Sequence, residues 1–256
     1  MKTALIIFCL FCFAKTNAVS QTVYALDLKK DLIIGALSLG MGITPFFVNN
    51  EPGLVPEILN KNEVNRFDRA LMFSHKKYLD LISDNSAYGL ALLPIISIVP
   101  NIRHGSTVLT YAVMYSEALL FTYGTAFTLK SIIDRYRPYM YDNGIPLGKE
   151  RDFHNSFPSG AASFSFLSST FFSVTFSQEF PESKWKFPLI LGSYALATGI
   201  ASMRVYSGSH FVTDVLIAAV IGSMYGGLIP LVHTKNNNNE LALIPNGNGI
   251  TVLLRF

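Results

Sequence analysis

Three short patches carry residue types able to do phosphate chemistry: Lys130 with Arg137-Pro138, then Pro158-Ser159-Gly160, then Arg204 with His210 and Asp214. Cations stabilise charge on the equatorial oxygens of a phosphoryl group during in-line transfer. An imidazole whose tautomer is fixed by a carboxylate is a nucleophile or proton carrier. His210 and Asp214 are four residues apart and share a face if helical. Arg204 is placed to grip phosphoryl oxygens, and Gly208 supplies the turn between Arg204 and His210. Lys130 and Arg137 are almost two helical turns apart, which puts both cations on one face if the helix persists to Pro138. Asp134 and Arg135 are weaker candidates, since Asp134 sits where it can simply pair with Lys130. Ser159 and the backbone N–H groups at the start of the next apolar helix suit anionic oxygens. Taken singly, each patch has an ordinary reading: interfacial anchors, a turn with a cap, a polar pair closing a helix.

The elements that must position these residues are apolar. The chain has 256 residues, enough for one compact domain. Half of them are hydrophobic and only 14% are charged. A soluble domain carries more charge. Apolar segments run over 32–48, 87–102, 108–129, 161–178, 187–203 and 211–232, several near bilayer-spanning length. The first two are short enough to tilt or lie partly within the bilayer. The expected fold is therefore all-α: a polytopic membrane helical bundle over residues 30–232 with about six transmembrane helices. Residues 1–20 read as a secretory signal, or an uncleaved signal anchor, with Lys2 before the apolar Ala4–Phe13. Both cysteines, Cys9 and Cys12, fall there. Asn65–Ile82 reads as an amphipathic helix, either on the membrane surface or capping the bundle. Residues 233–256 read as a polar, Asn-rich linker and a short hairpin, with Leu241–Ile244 and Ile250–Phe256 flanking Pro-Asn-Gly-Asn-Gly. The formal charge of +3 suits a phosphate ligand or an anionic lipid surface. No basic tract or motif argues for nucleic acid. No metal-ligand cluster is evident, and nothing demands a cofactor.

In order and spacing the three patches resemble the signatures of the type 2 phosphatidic acid phosphatase (PAP2) superfamily, membrane enzymes related to vanadium haloperoxidases. The matches are Lys130-x6-Arg137-Pro138, Pro158-Ser159-Gly160 and Arg204-x5-His210-x3-Asp214. The resemblance implies that Lys130, Arg137 and Arg204 clamp the phosphate while Ser159 and the Gly160 backbone complete the cradle. It implies that His210 attacks phosphorus to form a phosphohistidine, that Asp214 orients His210, and that water then releases inorganic phosphate. The implied partner is a phosphorylated membrane lipid.

The second signature departs from the family at Ala161, where the family has a histidine that protonates the leaving oxygen. Losing a general acid costs ~10²–10⁴-fold in rate. The cost is smaller when the leaving group is itself a stable anion, so a diphosphate lipid such as polyprenyl diphosphate is favoured over a monoester. His154, seven residues earlier, is a candidate substitute acid. The alternative is a catalytically silent lipid-phosphate-binding membrane protein. The resemblance places the site on the extracytoplasmic side of a bacterial envelope membrane. A cleaved signal followed by a crossing at 32–48 puts loop 49–86 inside instead, and its Lys61, Arg66, Arg69, Lys76 and Lys77 favour that side. Phosphatidic acid, phosphatidylglycerophosphate and lipid A phosphates stay open beside polyprenyl diphosphate.

Overall fold

The computed structural model describes residues 22–48, 59–99, 105–142, 145–146, 152–235, 241–246 and 249–254. The expected signal segment lies outside them, as does most of the Asn-rich linker.

Helix starts follow side-chain chemistry. Asp27 caps α1 (Leu28–Ile43) by accepting from Lys30 N, and Asn65 caps the single turn α2 (Arg66–Arg69) by accepting from Asp68 N. Then come α3 (Lys77–Leu90), the short α4 (Ile95–Ile98), α5 (Gly105–Ile132) and α6 (Gly160–Glu179). The bundle closes with α7 (Lys186–Tyr206) and α8 (Val212–His233). Beyond it, β1 (Leu241–Asn246) and β2 (Gly249–Leu254) pair antiparallel, from Leu241 opposite Leu254 to Asn246 opposite Gly249. The stretch 65–82 is not one helix, because residues 70–76 separate α2 from α3.

The central element is α6, and α3, α5, α7 and α8 all pack on it. Serine and threonine supply eight of its twenty residues, and nearly all of them are buried. Their small side chains let neighbouring backbones approach closely. Gly222 and Gly226 complete the fit from α8: a Cβ at either position would strike the α6 backbone at Ser163 or Leu167. An apolar cluster of Tyr111, Met114, Ala118, Leu167 and Phe171 joins α5 to α6.

Six crossings are not found. Among the described residues, three stretches are long and apolar enough to span a bilayer: Lys77–Ile98, which joins α3 to α4, then α7 and α8. The discrepancy has a compositional cause. α1 has 16 residues. At that length it reaches only ~24 Å, short of a hydrocarbon core of ~30 Å. The hydroxyls of α6, and Thr110, Ser116, Glu117, Thr122 and Thr125 of α5, dilute their hydropathy. Such residues serve contacts between helices. The bundle is helical and membrane-associated, but with three apolar spans.

Candidate active site

Lys130 and Arg137 meet by a route other than a shared helix. α5 stops at Ile132, and Arg137 lies on extended backbone ahead of a 3₁₀ turn at Pro138–Tyr141. The segment 135–137 runs alongside 153–156. Arg135 N donates to His154 O (3.0 Å), Ser156 N to Arg135 O (3.0 Å) and Arg137 N to Phe153 O (2.8 Å). Lys130 Nζ, at the end of α5, then donates to the carbonyls of Asn155 (2.6 Å) and Pro158 (3.0 Å). Arg137 donates from Nε to Asp152 O (2.8 Å) and pairs with the Asp152 carboxylate at 2.7 Å. The loop is thus fastened to both cations. It passes through a cis Phe157–Pro158 bond into Ser159, which caps α6 by accepting from Ala162 N, and Gly160 is the first helical residue. The pairing of Lys130 with Asp134 does not form, and Asp134 is exposed.

His210 sits in the turn between α7 and α8. That turn needs Gly208, which has φ of 71° and presses against the backbone of Phe73 and Ser74, where no Cβ fits. His210 Nδ1 is 2.6 Å from Ser156 O, and Nε2 is 3.1 Å from Arg137 Nη1. A carbonyl only accepts and a guanidinium only donates. The proton therefore lies on Nδ1, and Nε2 presents a lone pair. Burial together with Arg137, Arg204 and Lys130 holds the imidazole well below its usual pKa, so it is neutral.

Asp214 supports this arrangement indirectly. Its Oδ2 is 3.7 Å from His210 Nδ1, too far for a hydrogen bond. It accepts instead from Ser156 Oγ (2.6 Å) and Phe211 N (2.8 Å), while Oδ1 pairs with Arg135 Nη1. Ser156 is the link, with its hydroxyl on Asp214 and its carbonyl on His210. Ser159 N also donates to Asp214 O at 3.3 Å, which ties the second patch to the third.

Arg204 is buried against α3. Its Nη1 bonds Asp80 Oδ1 (2.8 Å), Asp84 Oδ1 (2.8 Å) and Ser83 Oγ (3.2 Å), and its buried Nε has no hydrogen-bond partner among the described residues. Burial, with Arg137 close by, pushes the Lys130 ammonium down to about 7. Burial also opposes the charge on Arg137, but Asp152 outweighs it and holds that guanidinium above its ordinary range. A concentration of cations beside a neutral nucleophile suits a dianionic ligand.

Lys130, Arg137, Ser159, Gly160, Arg204, His210 and Asp214 thus form one connected cluster. His154 is buried, its ring set edge-on to Phe153 with centroids 5.1 Å apart, and its carbonyl anchors Arg135. Ala161 packs towards α3 and α7, beside Ala87, Leu90, Ala197 and Ile200. Spacing overlooked the supporting acids. Asp68 accepts from Thr213 N (2.9 Å), Thr213 Oγ1 (2.6 Å) and Arg135 Nη2 (2.7 Å). Asp80 holds Arg204 and accepts from Ser209 Oγ at 2.5 Å. The signal for Asp80 is present in the sequence, because Asp80 and Asp84 stand four apart on α3 with Ser83 between them. Asp68, Asp152 and Ser156 leave no comparable trace. Among the described residues no group of three or more His, Cys, Asp or Glu is placed to hold a metal.

The chain is a helical membrane bundle with a buried histidine among paired arginines and a lysine. Residues 108–238, half of the chain, match the PAP2 superfamily, and the protein belongs to it. The shared chemistry of that superfamily is phosphate-ester hydrolysis on membrane lipids. Among solved structures the chain is similar to Aquifex aeolicus LpxE, at 21% identity and a TM-score of 0.44, covering 70% of this chain and 98% of that one. It is also similar to a transmembrane PAP2-type phosphatidylglycerolphosphate phosphatase from Bacillus subtilis, at 20% identity and a TM-score of 0.36, covering 89% of this chain and 92% of that one. No curated protein matches the chain.

Proposed function

We propose that the protein hydrolyses a phosphate monoester or diphosphate on a membrane lipid through a phosphohistidine on His210, in a bacterial envelope membrane with the site on its extracytoplasmic face. The observation that carries this reading is the His210 tautomer: Nδ1–H is committed to Ser156 O, so Nε2 holds the lone pair that attacks phosphorus. In the ligand-free site Arg137 covers that lone pair at 3.1 Å. An arriving phosphoryl group offers oxygens to Arg137, which uncovers Nε2 as the ligand binds. Lys130, Arg204 Nε and the N–H groups at the start of α6 meet the remaining oxygens. The P–O bond to the leaving group breaks as the N–P bond forms. Water then attacks the phosphohistidine and inorganic phosphate departs. Asp214, acting through Ser156, keeps the imidazole oriented.

Ala161 offers no proton to the leaving oxygen, which favours a leaving group that is stable as an anion. The substrate class is therefore a diphosphate lipid before a monoester. The test is phosphate release by detergent-purified protein from a polyprenyl diphosphate and from phosphatidic acid, beside a His210→Ala form. Release from the diphosphate that vanishes in the variant is expected. Equal or faster turnover of phosphatidic acid overturns the leaving-group bias. No release from either lipid points to a phosphate-binding protein without catalysis. Loss of activity on His154→Ala with a changed pH–rate profile would install His154 as the acid, and an unchanged profile removes it from the mechanism.

A further inference from the structure

Tyr139 shares a property with Arg204: each carries a buried donor, the phenol Oη and the guanidinium Nε, with no hydrogen-bond partner among the described residues. Only 1% of Tyr139 is exposed, and a buried hydroxyl left unbonded destabilises the fold that holds it. The residue is nonetheless firmly placed. It lies in the 3₁₀ turn Pro138–Tyr141, two residues after Arg137, and its N–H donates to Gly208 O (3.2 Å), two residues before His210. Its ring packs with Met140 and Phe153 and meets the His75 ring edge-on, with centroids 5.4 Å apart. A ring fixed in this way holds its hydroxyl in one place.

The surroundings of the phenol point to its partner. The charges that act on it come from two sides of the site: Arg137 with Asp152, and Arg204 with Asp80. Either carboxylate could accept from a phenol, but both are engaged, Asp152 by Arg137 and Asp80 by Arg204 and Ser209. Burial raises the pKa of the phenol, Asp152 and Asp80 add to the rise, and Arg137 and Arg204 oppose it. The group therefore keeps its proton at neutral pH and is an uncharged donor. An O–H among cations and engaged carboxylates is satisfied by an anion, because a phosphoryl group brings acceptor oxygens to the same place. We infer that Tyr139 is a further substrate-binding residue, whose hydroxyl donates to an oxygen of the bound phosphate between Arg137 and Arg204. The inference rests on the anion site proposed at His210 and adds to it a neutral donor that no spacing of cations marks.

Tyr139→Phe deletes the hydroxyl and keeps the ring. Tyr141→Phe makes the same deletion two residues along, where the ring lies edge-on to Phe211. With full-length protein in detergent, the melting temperature is measured across a titration of inorganic phosphate, which gives an apparent Kd for each form. Without phosphate, Tyr139→Phe is expected to melt no lower than wild type, since the deleted group bonds nothing in the fold. With phosphate, its Kd should be about 10-fold or more weaker, as for loss of a hydrogen bond to a charged group, while Tyr141→Phe titrates as wild type. A lower melting temperature of Tyr139→Phe without phosphate would give the hydroxyl a structural role and overturn the inference. So would equal Kd values in Tyr139→Phe and wild type, or an equal loss in Tyr141→Phe. Wild-type protein that phosphate does not stabilise overturns the anion site and the part of Tyr139 in it together. The phosphatase reading fails differently: phosphate binding that depends on Tyr139, with no release from either lipid, leaves the inference standing and removes catalysis.

Discussion

Two buried polar clusters lie towards opposite ends of the bundle, and they are built differently. At the phosphate end, Lys130, Arg135, Arg137 and Arg204 stand among Asp68, Asp80, Asp152 and Asp214, each acid tied to at least one cation or hydrogen-bond donor. The other cluster surrounds His233, roughly 28 Å further along α8 than Asp214 at about 1.5 Å per residue. There His233 Nδ1 donates to Ile229 O (2.9 Å), while Nε2 faces Asp31 Oδ1 at 3.1 Å and Glu117 Oε2 at 3.4 Å. The Glu117 carboxylate has no hydrogen-bond donor among the described residues. Nearby Glu179 accepts from Thr22 Oγ1 (2.5 Å), Val23 N (3.2 Å) and Tyr111 Oη (3.2 Å). The first cluster pairs its acids with cations and hydrogen-bond donors and leaves the His210 imidazole without a carboxylate partner within hydrogen-bond distance. The second is acidic and sets an imidazole where α1, α5 and α8 meet. In the function proposed above, one histidine serves chemistry and the other serves packing, and their partners account for the difference.

The sharpest way to break that comparison is to remove each histidine in turn. His210→Ala should abolish phosphate release, by more than about 10⁴-fold as for loss of other nucleophiles, with thermal stability nearly unchanged. His233→Leu should do the reverse: about 2 kcal/mol lower stability, from two carboxylates left facing each other, with kcat within about threefold of wild type. Paired activity and melting measurements check both, and a catalytic loss in His233→Leu matching that of His210→Ala would end the distinction.

Asp68→Ala should cost about 3 kcal/mol, since it strips Arg135 and the first turn of α8 of a buried acceptor. Burial raises the pKa of the Asp68 carboxyl, but hydrogen bonds from Thr213, Arg135 and Asn65 outweigh it and hold the group below its usual value. Its contribution is therefore fully present above the unfolded value and is lost as pH falls through the folded one. Denaturant melts of wild type and variant should converge in acid. If the gap persists there, the charge is not what matters.

A smaller effect should appear in anion binding. Lys130 is charged below about 7 in the free site and loses its proton as pH rises through that value. Sulfate keeps its charge across this range, so its inhibition should begin to weaken above about pH 7, by about tenfold if one charge-assisted bond is lost. Lys130→Arg should flatten the profile, and an equal slope in that variant would remove Lys130 from the clamp. The smallest change is expected from Glu117→Gln. Burial and the nearby Asp31 raise the Glu117 pKa to about 7, and the carboxyl lacks hydrogen-bond donors among the described residues, so the change should alter stability by less than about 1 kcal/mol or raise it. A large loss would mean that the His233 cluster depends on the ionised form of Glu117.

The residues themselves made the candidate site legible, because their spacings are local: His210 and Asp214 one turn apart, Arg204 before the Gly208 turn, Ser159 at a helix start. Their supports were not legible, because they come from distant segments. Asp68 reaches Arg135 across 67 residues and Thr213 across 145, and neither contact leaves a periodicity. Sequence periodicity also located most of the helices but miscounted the spans. Hydrophobic runs show which segments avoid water, but not whether lipid or other helices cover them, and α6 with its buried serines is covered by protein.

Composition and spacing by themselves determined a helical membrane chain and singled out Lys130, Arg137, Arg204 and His210 as candidates for one site. The tertiary structure decided the rest: that Arg137 arrives on extended backbone, that the Ser156 carbonyl holds the Nδ1 proton, and that Asp214 connects to His210 through Ser156. The reason is physical. Helical periodicity is set by bonds between near neighbours, whereas a proton's position is set by whichever acceptor the fold brings within hydrogen-bond distance.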